Sequence, residues 1–91
     1  MFSLEDVRQL TQSERVYLML LINVSMCVHN KLLKIEIIDN SKVHAIVQNV
    51  RTLRTFIFSY KFYSHSPFIM EDFICLVKAE FPDVEIEERS F

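Results

Sequence analysis

Nucleophilic and metal-centred chemistry requires histidine, cysteine, serine or carboxylate side chains brought together, and this chain of 91 residues offers few such meetings. His29, His44 and His65 are scattered, none with a second histidine three to five residues away, so their spacing builds no metal site. Ser64-His65-Ser66 sets a hydroxyl beside an imidazole. A triad is a spatial arrangement that sequence neighbours do not supply, and the segment reads as a polar turn. Cys27 and Cys75 stand far apart, in no metal-type spacing, and are expected to be two reduced thiols in apolar settings. Asp72, set in an apolar run, is the carboxylate to follow. If buried it needs a partner, and an interface hydrogen bond suits it better than acid–base work. Glu85, Glu87 and Glu88 read as a solvated strand face or as a rim meeting a basic partner. No catalytic, cofactor-binding or metal-ligating residue is assigned.

Composition narrows the function further. There is no glycine, although 51% of residues are hydrophobic. A P-loop, a dinucleotide fingerprint and a glycine-rich clamp each require glycine backbone geometry, so all three are excluded. The net charge is −2 and no basic stripe is evident, which disfavours nucleic acid as a partner. The stripe Phe56-Phe58-Tyr60-Phe62, with Arg54 before it, has residue types that stack bases. It lacks the glycine of an RNA-recognition strand and reads first as a core-facing element. The longest apolar stretch, Val16 to Val28, is interrupted by Asn23 and Ser25 and falls short of the ~20 residues of a transmembrane helix. Glu5, Asp6 and Arg8 sit where the apolar part of a secretory signal would start.

The elements that must position these side chains divide at about residue 30, giving a helical segment (1–30) and a partial α+β domain (31–91). Ser3 with Asp6 and Thr11 with Glu14 form two capping boxes. The first would open a short helix presenting Leu4, Val7 and Leu10. The second would open a helix from about Gln12 to His29 that is apolar nearly all round, and so is expected to be buried on several sides. Leu10 to Leu21 also resembles the opening helix of helix-turn-helix regulators, but no basic recognition helix follows. Leu33, Ile35 and Ile37 alternate with Lys34 and Glu36 as in a half-buried strand, and Asp39-Asn40-Ser41 is turn chemistry. Val43 to Val47 is then either a return strand or, with Ser41 as N-cap, a helical face. Residues 49–63 fit a helix (Val50, Leu53, Phe56, Ile57, Tyr60) or a strand from Thr55. Residues 66–81 fit a helix opened by Ser66-Pro67 or an alternating strand (Phe73, Cys75, Val77, Ala79, Phe81).

The run from Phe68 to Phe91 suggests an apolar strand, a Phe81-Pro82-Asp83 turn and a second strand barely begun. A hairpin cut there would leave an edge for another chain to cover. Three stretches agree with that expectation. Leu32 to Asn40 with Val43 to Val47, Val50 to Ser66, and Phe73 to Pro82 together resemble the N-terminal half of the thirty-kilodalton subunit family of respiratory complex I (NADH dehydrogenase subunit nine). In that family the first stretch is a hairpin, the second a helix, and the third a strand ending in an acidic-aromatic-proline turn, here Glu80-Phe81-Pro82. The family's acidic Glu-Arg-Glu cluster belongs to its C-terminal half and is absent here. The resemblance implies a ββαβ sheet behind the N-terminal helices, completed by a partner chain that carries the missing half and pairs with the strand from Glu85. Glu87→Pro would then disrupt that pairing if the Glu87 N–H faces the partner. It further implies a non-catalytic structural subunit, with no cofactor of its own. Such a subunit would sit among the other subunits of the hydrophilic arm near the quinone module, on the matrix side of the mitochondrial inner membrane. The competing expectations are a small regulatory or inhibitory protein of the phage or viral effector kind, dimerising through Gln12–His29, and a single-strand binder using Phe56, Phe58 and Tyr60.

Overall fold

The computed structural model describes residues 10–63 and 67–89, and the Ser3–Asp6 capping box, Ser64-His65-Ser66 and the last two residues lie outside them. The element order is α1 (Gln12–Ser25), β1 (Asn30–Ile38), β2 (Lys42–Asn49), β3 (Thr55–Lys61), α2 (Pro67–Glu80) and β4 (Glu85–Arg89). The class is α+β, as expected. Among the described residues the sheet has four strands in the order β3-β2-β1-β4. β1, β2 and β3 form an antiparallel meander, while β4 returns through α2 to lie parallel to β1.

Two assignments carried by the resemblance are corrected. Residues 55–61 are a strand where a helix was expected, because Phe56, Phe58 and Tyr60 alternate against β2 and the Thr/Phe/Ile/Tyr content favours an extended chain. Val50 and Leu53, which suggested helical spacing, lie exposed in the preceding turn. Residues 67–80 are a helix where a strand was expected, with Pro67 as its first residue. Met70, Phe73 and Val77 form its buried stripe, while Cys75 and Ala79 of the apparent alternation are exposed. Of the three stretches that carry the resemblance only the hairpin keeps its expected element type, while the helix from Gln12 and the strand from Glu85 form as expected. The pairing of the Glu85 strand is corrected with them. No interrupted hairpin follows Phe68, since α2 crosses over and β4 pairs with β1 of the same chain.

Both helices pack on one face of the sheet. Val16, Leu20 and Val24 of α1 and Met70, Phe73 and Val77 of α2 close over Leu32, Ile35, Ile37, Val43, Ala45 and Val47. Phe62 meets Phe73 edge-on at 5.4 Å. A bulge between Leu32 and Lys34 transfers the core position from the expected Leu33 to Leu32. The α1 N-terminus has its expected capping box, in which the Glu14 N–H donates to Thr11 and the Glu14 carboxylate accepts from the Thr11 N–H. The helix buries one stripe rather than several sides, leaving Met19, Ile22 and Met26 exposed. Turns that usually employ glycine are made by other residues. Asp39 and Asn40 both take positive φ, and the Ser41 N–H donates to the Ile38 carbonyl, as in a primed hairpin turn. Leu53 also holds a positive φ of 62°.

A candidate interaction site along the third strand

Backbone parity determines what each sheet edge offers. The Phe62 N–H donates to Ser41 and the Arg54 carbonyl accepts from Asn49. Even-numbered residues of β3 therefore direct their backbone polar groups toward β2, because successive residues of a strand alternate. Thr55, Ile57, Ser59 and Lys61 direct theirs away from the sheet, where no described strand lies. At the opposite edge the Arg89 carbonyl accepts from the Asp39 N–H, so Arg89, Glu87 and Glu85 face β1 and Ile86 and Glu88 face outward. The Glu87 N–H thus belongs to the internal ladder, contrary to the partner pairing anticipated for it.

α1 covers β3 incompletely, and a groove runs between them. Its first part, about 460 Å³, is lined by Arg15, Met19, Tyr60, Lys61 and Tyr63 among others. Its second part, about 380 Å³, lies among Met26, Cys27, Asn49, Phe56 and Phe58. Between them Asn23 Nδ2 donates to the Tyr60 hydroxyl at 2.6 Å, fixing helix to strand. Burial raises the Tyr60 pKa above its ordinary value, opposed in part by that hydrogen bond. Apolar surface remains on both sides of the strand: Ile57 is 63% exposed and Phe56 43%, with Met26 at 74% on the helix. A thioether is unbranched and polarisable, so methionines at such a rim adapt to varied partner shapes.

Charge is segregated along the same axis. No Asp or Glu occurs between Asp39 and Glu71, while Lys42, Arg51, Arg54 and Lys61 do. Carboxylates gather at the other edge, where Glu87 binds Lys34 and Arg89, and Arg89 reaches Glu36 at 3.2 Å. Hydrogen bonds from Lys34 and then Arg89 hold the Glu87 carboxyl below its ordinary range, and the bond to Glu87 raises the Lys34 ammonium above its own. The glutamates were expected to meet solvent or a basic partner. For Glu87 the bases belong to the same chain.

The remaining sequence candidates do not converge. Asp72 is exposed on α2. His44 lies on the open sheet face in register with Glu36 and Ser59, while the His29 N–H donates to Cys27 Sγ. Cys27 is half-buried, and Cys75 is exposed rather than in an apolar setting. Among the described residues no group of three His, Cys, Asp or Glu side chains is arranged to hold a metal ion, and no helix is long and apolar enough to cross a membrane. Of the aromatic stripe, Tyr60 and Phe62 are buried, leaving Phe56 and Phe58 for contact with a ligand. Sequence reasoning missed Ser13, a fully buried serine whose hydroxyl donates to the Ile69 carbonyl and joins α1 to α2. Its place on the Val16–Leu20–Val24 stripe was the available signal. Comparison with known protein families, with curated proteins and with solved structures finds no match for this chain.

Proposed function

We propose that this protein is a non-catalytic interaction module that captures an extended segment of a partner by adding it to β3. The observation that carries this reading is a strand edge that no other described strand pairs with, with apolar side chains exposed beside a helix-walled groove. Unprotected apolar edges invite pairing, and natural proteins usually blunt them with charge, proline or a covering element. A groove between an edge strand and a helix supplies both parts of strand addition: main-chain hydrogen bonds along the edge and side-chain pockets beside it. Ser59→Pro tests the mechanism, since it removes an outward N–H without removing one that bonds to β2. Native purification should bring down a partner with the parent chain and lose it with the variant, both being folded by circular dichroism. Retention of the partner by Ser59→Pro would refute strand addition.

A second reading, a structural subunit of mitochondrial complex I on the matrix side, retains the hairpin at 32–47 as its support. Comigration with complex I subunits in the same purification would favour it. Recovery of a lone dimer would favour the regulatory-protein reading.

A further inference from the structure

We infer that the segment accepted at β3 is acidic and alternating, with apolar residues facing the groove and carboxylates between them, and that it belongs to a different protein. The inference rests on the strand-addition reading and adds the chemistry of the occupant. A strand laid against β3 would meet two surfaces. On the helix side lie Phe56, Phe58, Met19 and Met26, which take apolar side chains. On the open face, where the intervening residues of an added strand would lie, Lys61 stands at one end of β3 beside its register partner Lys42, and Arg54 comes just before the other end. No carboxylate occurs anywhere from Asn40 to Met70 to neutralise an incoming base or repel an incoming acid. Complementary potentials select partners and speed their encounter, so an acidic strand is favoured here and a basic one opposed.

The same charges argue against a second copy. Antiparallel self-pairing of β3 about Phe58 would set Lys61 of each copy opposite Thr55 of the other and Arg54 opposite Phe62, gathering one copy's lysine and the other's arginine at each end of the pair with no carboxylate between them. The chain's own alternating acidic strand, β4, is already laid on β1, with Glu87 bound to Lys34 and Arg89.

Titrating the 91-residue chain into labelled, capped octapeptides followed by fluorescence anisotropy tests this. The probes are four Val-Glu repeats, four Val-Lys repeats, and a peptide with four valines followed by four glutamates. The Val-Glu repeat should bind at least ten-fold more tightly than either other peptide, and more weakly at 300 mM than at 50 mM salt. The Arg54→Glu/Lys61→Glu double variant should reverse the preference between the two repeats. Ser59→Pro should abolish binding, and protection of the Ile57 and Ser59 amides from exchange on peptide addition reads the same contact if that variant folds poorly. Equal binding of both repeats, still dependent on Ser59, would overturn the acidic preference while leaving strand addition intact. Binding of no repeat, with no amide protection, would overturn both. A concentration-dependent dimer that buries those amides would overturn the inference in favour of a second copy. Salt-sensitive binding of a single-stranded oligonucleotide in place of the peptides, lost on Phe58→Ala, would overturn it in favour of nucleic acid.

Discussion

The two edges of this sheet solve the same physical problem differently. β4 is short and charged, and its Glu87 and Arg89 are tied to Lys34 and Glu36 of β1 across the open face. β3 is longer, carries Phe56, Ile57 and Phe58, and has its cations at its ends rather than along it. Charge on an edge raises the cost of stripping its water, which discourages pairing with another chain. One edge is therefore guarded and the other available. An edge strand is a hazard or a binding site according to whether its surroundings select what pairs with it, and the groove beside β3 provides that selection.

Both edges rest on one hydrophobic core. Phe73 is fully buried against Phe62, and Phe73→Ala should cost about 3–5 kcal/mol. Urea denaturation should show both edges melting in one transition; separate transitions would mean that the edges are independent units. Proline scanning distinguishes the sides of a strand. Glu87→Pro removes a donor that faces β1 and should markedly lower the urea midpoint, whereas Glu88→Pro, whose N–H faces outward, should barely shift it. Equal effects would refute the assigned parity. Leu53→Gly should stabilise by roughly 0.5–1 kcal/mol, because it relieves a side chain held at positive φ in the turn leading to β3. An unchanged midpoint would show that the turn bears no strain.

The smallest effect concerns acid. The Glu87 carboxyl titrates below its ordinary value of 4.5 in the folded chain, because it accepts hydrogen bonds from Lys34 and then Arg89. Its contribution is therefore present above that ordinary value and is lost as pH falls through the lower folded one. Melting scans between pH 6 and pH 3 should show a shallower acid slope for Lys34→Met than for the parent.

Local chemistry made part of this architecture legible. The Thr11–Glu14 capping box, the Asp39-Asn40-Ser41 turn and the alternation from Ile35 to Ile37 each act over a few residues, and each formed as its residue types require. The helix and strand of residues 49–80 were a different matter. Phe56, Ile57 and Tyr60 satisfy both periods at once, as do Phe73 and Val77, so the neighbours in space decided between them. The site was illegible for a related reason. Its groove joins Met19 and Met26 to Phe56 and Phe58, residues far apart in sequence and brought together only when α1 lies beside β3. Apolar residues exposed at such a groove have the same composition as a core, and the sequence pattern assigned them to one.

The parallel pairing of β1 with β4 has a kinetic consequence. The antiparallel meander closes through short turns, whereas β4 reaches β1 only across the α2 crossover, and contacts between sequence-distant segments form slowly. During folding β1 is thus itself an open edge, a Leu/Ile-rich strand whose far side waits for β4. Pulse-labelled exchange should find the amides of Ile35 and Ile37, which face β4, protected later than those of Ala45 and Phe58 between β2 and β3. The charges on β4 guard more than the finished fold: when they arrive they end the interval in which this sheet can be extended from both sides.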